Sequence, residues 1–236
     1  MIELFYERLA SIKGKKKWKK FFKFLRKKFG ENDPGKIDFD FESKPSRIEV
    51  VQKIINLKEY KSYLEIGTFN DELFSKIVCK KKIGVDPYSG GNIRMSSDSF
   101  FLQNNESFDC IFIDGLHHYN QVLKDIDNSL KILNSNGLIL IHDCLPKSLD
   151  AQAVPRTEVD WNGDIWKAFV SKRVLSNLDS YTCYADHGIG VILKRQNRNL
   201  LNLQMNNFKK LRYNDFFINH KKYMNIVEFS DLIKFI

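Results

Sequence analysis

The sequence predicts a doubly wound α/β sheet preceded by a basic N-terminal helix and followed by a helical C-terminal extension. Four short apolar runs, at residues 63–67, 82–86, 109–114 and 137–142, each end on an acid, a His or a Gly. Such continuous apolar runs mark strands buried on both faces. Segments with helical spacing lie between them, at 70–79 and at 119–134, the latter through Val122, Ile126, Leu130 and Leu133. This alternation is that of a parallel sheet with crossover helices. With 43% hydrophobic residues in 236, the chain can bury one sizeable core.

The formal net charge is +9, yet residues 13–28 hold nine Lys and one Arg with no acid, which leaves the rest at −1. A globally basic nucleic-acid groove is therefore not expected. Within the basic segment Trp18, Phe21, Phe22, Leu25 and Phe29 recur at helical spacing. This amphipathic helix suits an anionic membrane interface. Packing on its own domain or on a second subunit, and nonspecific RNA binding, are the alternatives. Asn32, Asp33, Pro34 and Gly35 then break the helix and mark a linker, giving an N-terminal segment of residues 1–45.

The main domain covers 46–195. It opens with a capping box, Ser46 and Glu49, ahead of the apolar Val50, Val51, Ile54, Ile55 and Leu57. Ligands of open parallel sheets bind beyond the carboxyl ends of the strands. The polar residues there are Glu65 with Gly67, Asp86, Asp98 in a third region, Asp114 with His117, and His142 with Asp143. Residues 155–167 are too polar and aromatic for a simple connection. They predict a lid over an acceptor, with Trp161, Asp164, Trp166 and Lys167 as substrate contacts; anchoring of the next helix is the other reading of the two Trp. Residues 181–185 and 188–194 predict a closing hairpin around Asp186, His187 and Gly188, and residues 196–236 a helical extension. Cys79, Cys110, Cys144 and Cys183 show no CxxC spacing, so reduced thiols are expected. The absence of an apolar run near 18 residues and of a signal-like start predicts a cytoplasmic protein, with the inner membrane face as an alternative place.

Leu64-Glu65-Ile66-Gly67-Thr68-Phe69-Asn70, Gly84-Val85-Asp86-Pro87 and the run from Phe108 to Gly115 resemble the class I S-adenosylmethionine-dependent methyltransferases. The resemblance spans about 46–195 and implies a Rossmann-like sheet. Asp114-Gly115-Leu116-His117-His118-Tyr119 and Gly137-Leu138-Ile139-Leu140-Ile141-His142-Asp143 look, more narrowly, like bacterial small-molecule and sugar O-methyltransferases. Gly67 allows close backbone approach at the first turn, and Asp86, 21 residues after Glu65, is spaced to accept ribose hydroxyls. Where further glycines are expected the chain has Phe69 and Asp71, which disfavours a pyrophosphate-binding dehydrogenase.

The resemblance implies S-adenosylmethionine as cofactor, Glu65 near its methionine end and Asp98 near its adenine. It also implies His117 as general base beside Asp114, with His118 as the alternative base. Asp114 and Asp143 end neighbouring strands and suit Mg²⁺; a metal-free hydrogen-bonding role is the alternative. Catechol-type enzymes have Asn where this chain has Cys144. A zinc site from His117, His118, His142 and Cys144 matches no standard spacing. The expected activity is O-methylation of a small molecule, such as a sugar of a surface glycan or a secondary metabolite. RNA methylation through the basic arm and a noncatalytic membrane-tethered cofactor-binding protein are the competing readings. A homo-oligomer is left open.

Overall fold

The computed structural model describes residues 15–236. The start of the basic segment, Lys13 included, and the Phe29 side chain lie outside the described residues. Helix α1 spans Lys15–Phe29, and α2, Arg47–Leu57, begins at the expected capping box: Ser46 accepts from Glu49 N while Glu49 reaches back to Ser46 N. Then follow β1 (Ser62–Ile66), β2 (Lys81–Val85), α3 (Ser97–Gln103), β3 (Phe108–Ile113), α4 (Tyr119–Ile132), β4 (Leu133–Ile141), α5 (Ile165–Arg173), β5 (Asp179–Cys183), β6 (Ile189–Leu193), α6 (Tyr213–Met224), β7 (Ile226–Val227) and α7 (Phe229–Phe235).

One seven-stranded sheet runs β2-β1-β3-β4-β6-β5-β7, parallel from β2 to β4, with β6 antiparallel to both β4 and β5. Strand alternation sends Leu64, Ile66, Ile111, Ile113, Ile139 and Ile141 into one apolar layer, with Ile126 of α4, Phe169 of α5 and Phe216 of α6. Tyr63, Cys110, Phe112, Leu138 and Leu140 point into the other, with Val50 and Ile54 of α2 and Leu232 of α7. Each central strand is thus covered on both faces, which is why it reads as an unbroken apolar run. The chain reverses direction across the sheet between β1 and β3, so the crevice at their carboxyl ends is the ligand position.

Four expectations change. Residues 70–79 form turns and no helix. Phe69 and Asp71 take positive φ, and the Lys82 ammonium donates to the Phe74 and Ile77 carbonyls, which a continuing helix would use itself. The third region contributes a single bridge, Val85 to Ile93, and no strand. The linker is a packed strap: Phe39 is buried, Asp40 N donates to the Tyr184 hydroxyl, and Ile37 N to the Lys147 carbonyl. The C-terminal extension is helical as expected but also adds β7 beside β5, entered through Asn225 in the left-handed region. No described helix is long and apolar enough to cross a membrane.

Candidate active site

The crevice beyond β1, β3 and β4 gathers acids and imidazoles. Asp114 follows β3, and His117 sits in the short turn before α4. Its Nε2 lies 3.2 Å from Asp114 Oδ1, and its Nδ1 3.4 Å from Asp143 Oδ2 and 3.3 Å from the Trp161 carbonyl. His142, at the end of β4, places Nδ1 3.4 Å from both Asp114 Oδ1 and Asp143 Oδ2, and Nε2 3.0 Å from Asp186 Oδ1. Asp143, at φ +60°, accepts from Asn162 Nδ2 at 2.8 Å. Arg47 approaches Asp114 at 3.7 Å and donates its backbone N–H to Asp186 at 2.8 Å.

Burial alone would raise the Asp114 carboxyl, but His142 and His117 outweigh it and hold the group well below the ordinary carboxylate range. Burial opposes charge on both imidazoles as well; their carboxylate neighbours prevail and raise both, His142 the further. Asp186, despite burial, is lowered to about 2 by His142. In this network each carboxylate favours the charged form of its imidazole neighbours and each imidazole that of the carboxylates.

Asp114, His117 and Asp143 each offer one ligand atom, all within 4.8 Å of one another. The two carboxylates suit a hard divalent ion such as Mg²⁺, whereas the imidazole is a donor typical of borderline transition metals. The third donor is His117, which sequence reasoning assigned only as a base. The zinc alternative does not assemble among the described residues: Cys144 is buried with its thiol toward the Ile141 carbonyl, and His118 packs edge-on to Trp161. Asn162, from the lid, supplies the amide beside Asp143 that Cys144 does not.

Glu65 ends β1 almost fully buried, accepting from the Tyr63 hydroxyl at 2.6 Å. Burial pushes its carboxyl up to about 8 against the lowering effect of that hydrogen bond. Asp86, at the end of β2, accepts from Phe69 N, Tyr88 N and Ser89 N at 3.0, 2.8 and 3.0 Å. A carboxylate has about four acceptor positions, so one remains for a hydroxyl. Gly67 has φ +89°, and a Cβ there would meet the Asp114 carbonyl oxygen at 2.2 Å. Glycine is needed because the chain after β3 crosses it, a requirement internal to the protein. Asp98, in the first turn of α3, takes the Gln121 amide at 3.0 Å and pairs with Lys124 at 3.4 Å, both on α4.

The segment expected as a lid does cover the cluster. Trp161 stacks on His117 with centroids 5.0 Å apart and an interplanar angle of 15°, and its indole N–H donates to the Ala153 carbonyl. Gly163, at φ +67°, lets this loop pass directly over the His117 carbonyl. Asp164 accepts from Tyr119 N at 2.6 Å, tying the lid to the start of α4, and Lys167 lies 3.7 Å from it. Trp166 is the correction: it is fully buried, donates to Gln152 and packs on Phe216, so it anchors the lid and meets no acceptor. A cavity of about 300 Å³ lies beside the lid, walled by His118, Asp164, Lys167, Val154 and, from the N-terminal segment, Arg26 and Glu31. It borders the acid–imidazole cluster without including it.

Arg47, Asn162 and Asp186 went unassigned in the sequence. Arg47 looks like an ordinary first-turn residue, Asp186 a hairpin residue, and Asn162 a loop residue; only the packing brings them to one point.

Residues 84–144, which contain Asp86, Asp98, Asp114, His117 and Asp143, match the model of a methyltransferase domain family. A Klebsiella pneumoniae protein provisionally assigned as an O-methyltransferase superposes with a TM-score of 0.50 at 14% identity, covering 76% of this chain and 98% of its own. An O-methyltransferase from Bacillus cereus in complex with SAH gives 0.49 at 13% identity, over 65% and 83% of the two chains. The O-methyltransferase TomG from Streptomyces achromogenes, involved in tomaymycin synthesis and solved with SAM, gives 0.46 at 11% identity, over 63% and 79%. No curated protein matches the sequence. Residues 84–144 thus match a methyltransferase domain family, and the chain that carries them shares the Rossmann-like fold of the Klebsiella protein.

Proposed function

We propose that the protein is an S-adenosylmethionine-dependent O-methyltransferase acting on a hydroxyl of a small molecule, with a sugar of a surface glycan or a secondary metabolite as the acceptor class. The observation that carries this reading is the convergence of Asp114, His117 and Asp143 under Trp161 at the strand ends, beside Glu65 and Asp86. The bound cofactor supplies an electrophilic methyl group on a sulfonium. A buried carboxyl such as Glu65 regains its charge when a cationic group arrives, which suits the methionine end of that ligand. Asp86 has the acceptor position left for a ribose hydroxyl.

Methyl transfer to oxygen requires orientation and removal of the hydroxyl proton. To take that proton His117 must be neutral, with one ring nitrogen turned from its present acceptor, Asp114 on one side or Asp143 and the Trp161 carbonyl on the other, toward the hydroxyl. Asp114 orients the ring, and Trp161 stacked on it keeps water away. Asp114 and Asp143 would hold Mg²⁺, with His117 the nearest nitrogen donor; such an ion would lower a bound hydroxyl's pKa and align it. A nitrogen of His117 bonded to the ion cannot also take the proton, so the two roles exclude each other at that atom. Asp164 and Lys167 line the neighbouring cavity and are the polar groups suited to acceptor hydroxyls. The competing readings, RNA methylation and a noncatalytic tethered protein, gain no support from the comparisons.

The test is transfer of labelled methyl from S-adenosylmethionine into separated metabolite, glycan, lipid and RNA fractions, with wild type and His117→Ala in parallel. Label confined to small hydroxylated molecules or glycans and dependent on His117 is expected. Label in RNA alone, or none in any fraction, would overturn the proposal.

A further inference from the structure

Helix α1 carries eight Lys, one Arg and no acid over Lys15–Phe29. Among the described residues, its ion pairs to the rest of the protein come from Lys23 and Arg26. Lys23 pairs with Glu158 and, at 3.4 Å, with Asp150; Arg26 reaches Asp150 at 2.7 Å and the Thr157 hydroxyl at 2.9 Å. At 100° per residue these two lie close together on the helical wheel. Phe21 and Phe24, 47 and 56% exposed, and exposed Lys17 and Lys28 lie on the opposite side of the wheel, with Trp18, 44% exposed, and exposed Lys20 on its two flanks. Trp18 and Phe21 touch edge to face at 5.9 Å, and Lys28 lies over Phe24 at 5.8 Å. Three large exposed rings flanked by ammonium groups match the boundary between acyl chains and phosphate headgroups.

We infer that α1 docks the protein on an anionic lipid surface through Trp18, Phe21, Phe24, Lys17, Lys20 and Lys28, while Lys23 and Arg26 stay bound to the lid segment. The occupant is a lipid surface because charge complementarity calls for a polyanion and the exposed rings call for an apolar layer beneath it. Arg26 also walls the cavity beside the lid, so the helix that meets the lipid is part of the acceptor side of the molecule. The inference is independent of the methyl-transfer reading, since its test uses neither cofactor nor turnover.

The experiment is co-sedimentation of the full chain with vesicles of phosphatidylcholine alone or with 30% phosphatidylglycerol, at low and high salt. Binding should need the anionic lipid and fall severalfold as salt shortens the Debye length. Lys17→Gln, Lys20→Gln and Lys28→Gln should each weaken it about fivefold, the effect of removing one near-surface cation. The triple variant Trp18→Ala/Phe21→Ala/Phe24→Ala should lose binding while its circular dichroism and melting stay as in wild type. Lys23→Gln/Arg26→Gln should retain most of it. Equal binding to neutral vesicles, or none to either, would overturn the inference. So would displacement by RNA at lower concentration than lipid, or a wild-type dimer that the triple variant turns into a monomer.

Discussion

Glu65 is a carboxyl buried at the end of a strand, with a folded-state pKa of about 8 against an ordinary value of 4.5. The proton is bound more tightly in the folded state, so this stabilising contribution is complete below 4.5 and is lost as pH rises through 8. Glu65→Gln should therefore flatten the fall of melting temperature between pH 5 and pH 8 relative to wild type. Parallel profiles for the two proteins would mean that Glu65 is already ionised and paired. At His117, substitution by Ala should lower turnover by about 10² to 10⁴ with S-adenosylmethionine affinity nearly unchanged, the effect of removing a general base. Wild-type turnover would shift the role to another group. These two residues were legible in the sequence because strand ends are where an open sheet collects its ligands. Arg47 and Asn162 were not, since each reaches the site from an element whose position depends on tertiary packing.

At the scale of elements, the lid is held from both sides. Trp166 fills the layer under it, and truncation to Ala leaves a large cavity, so a loss of about 3–5 kcal/mol in unfolding free energy is expected. A loss below about 1 kcal/mol in denaturant titration would place the ring outside the core. On its outer side Glu158 of the lid, together with Asp150 ahead of it, holds α1. Asp150→Asn/Glu158→Gln should speed tryptic cleavage within α1 while the rest of the chain stays resistant; an unchanged rate would show that packing alone retains the helix. The amphipathic pattern of α1 was readable from spacing, but its docking edge was not, because the partner acids lie more than a hundred residues away. Residues 70–79 misled for a related reason: their apolar spacing is helical, yet Lys82 and the positive φ of Phe69 and Asp71 claim the geometry a helix would need.

Across the whole molecule, the alternation of strands and helices was readable because every central strand is covered on both faces. The strap at residues 37–41 and the β7 pairing were not, since neither carries a periodic signal and both depend on contacts distant in sequence. The metal question is also one for the assembled molecule, because its three candidate ligands come from the ends of two strands and a turn. Chelation should abolish methyl transfer and Mg²⁺ restore it if these donors hold an ion. Full activity in chelator would assign Asp114 and Asp143 to hydrogen bonding alone.

The most direct test of the central claim is calorimetric titration of the full chain with S-adenosylmethionine and its demethylated product, alongside Asp86→Ala. Both ligands should bind the wild type at one site. The variant, still folded by circular dichroism, should bind at least about tenfold more weakly, as expected for loss of a hydrogen bond to a charged acceptor. No binding of either ligand, or equal binding by wild type and Asp86→Ala, would contradict the account.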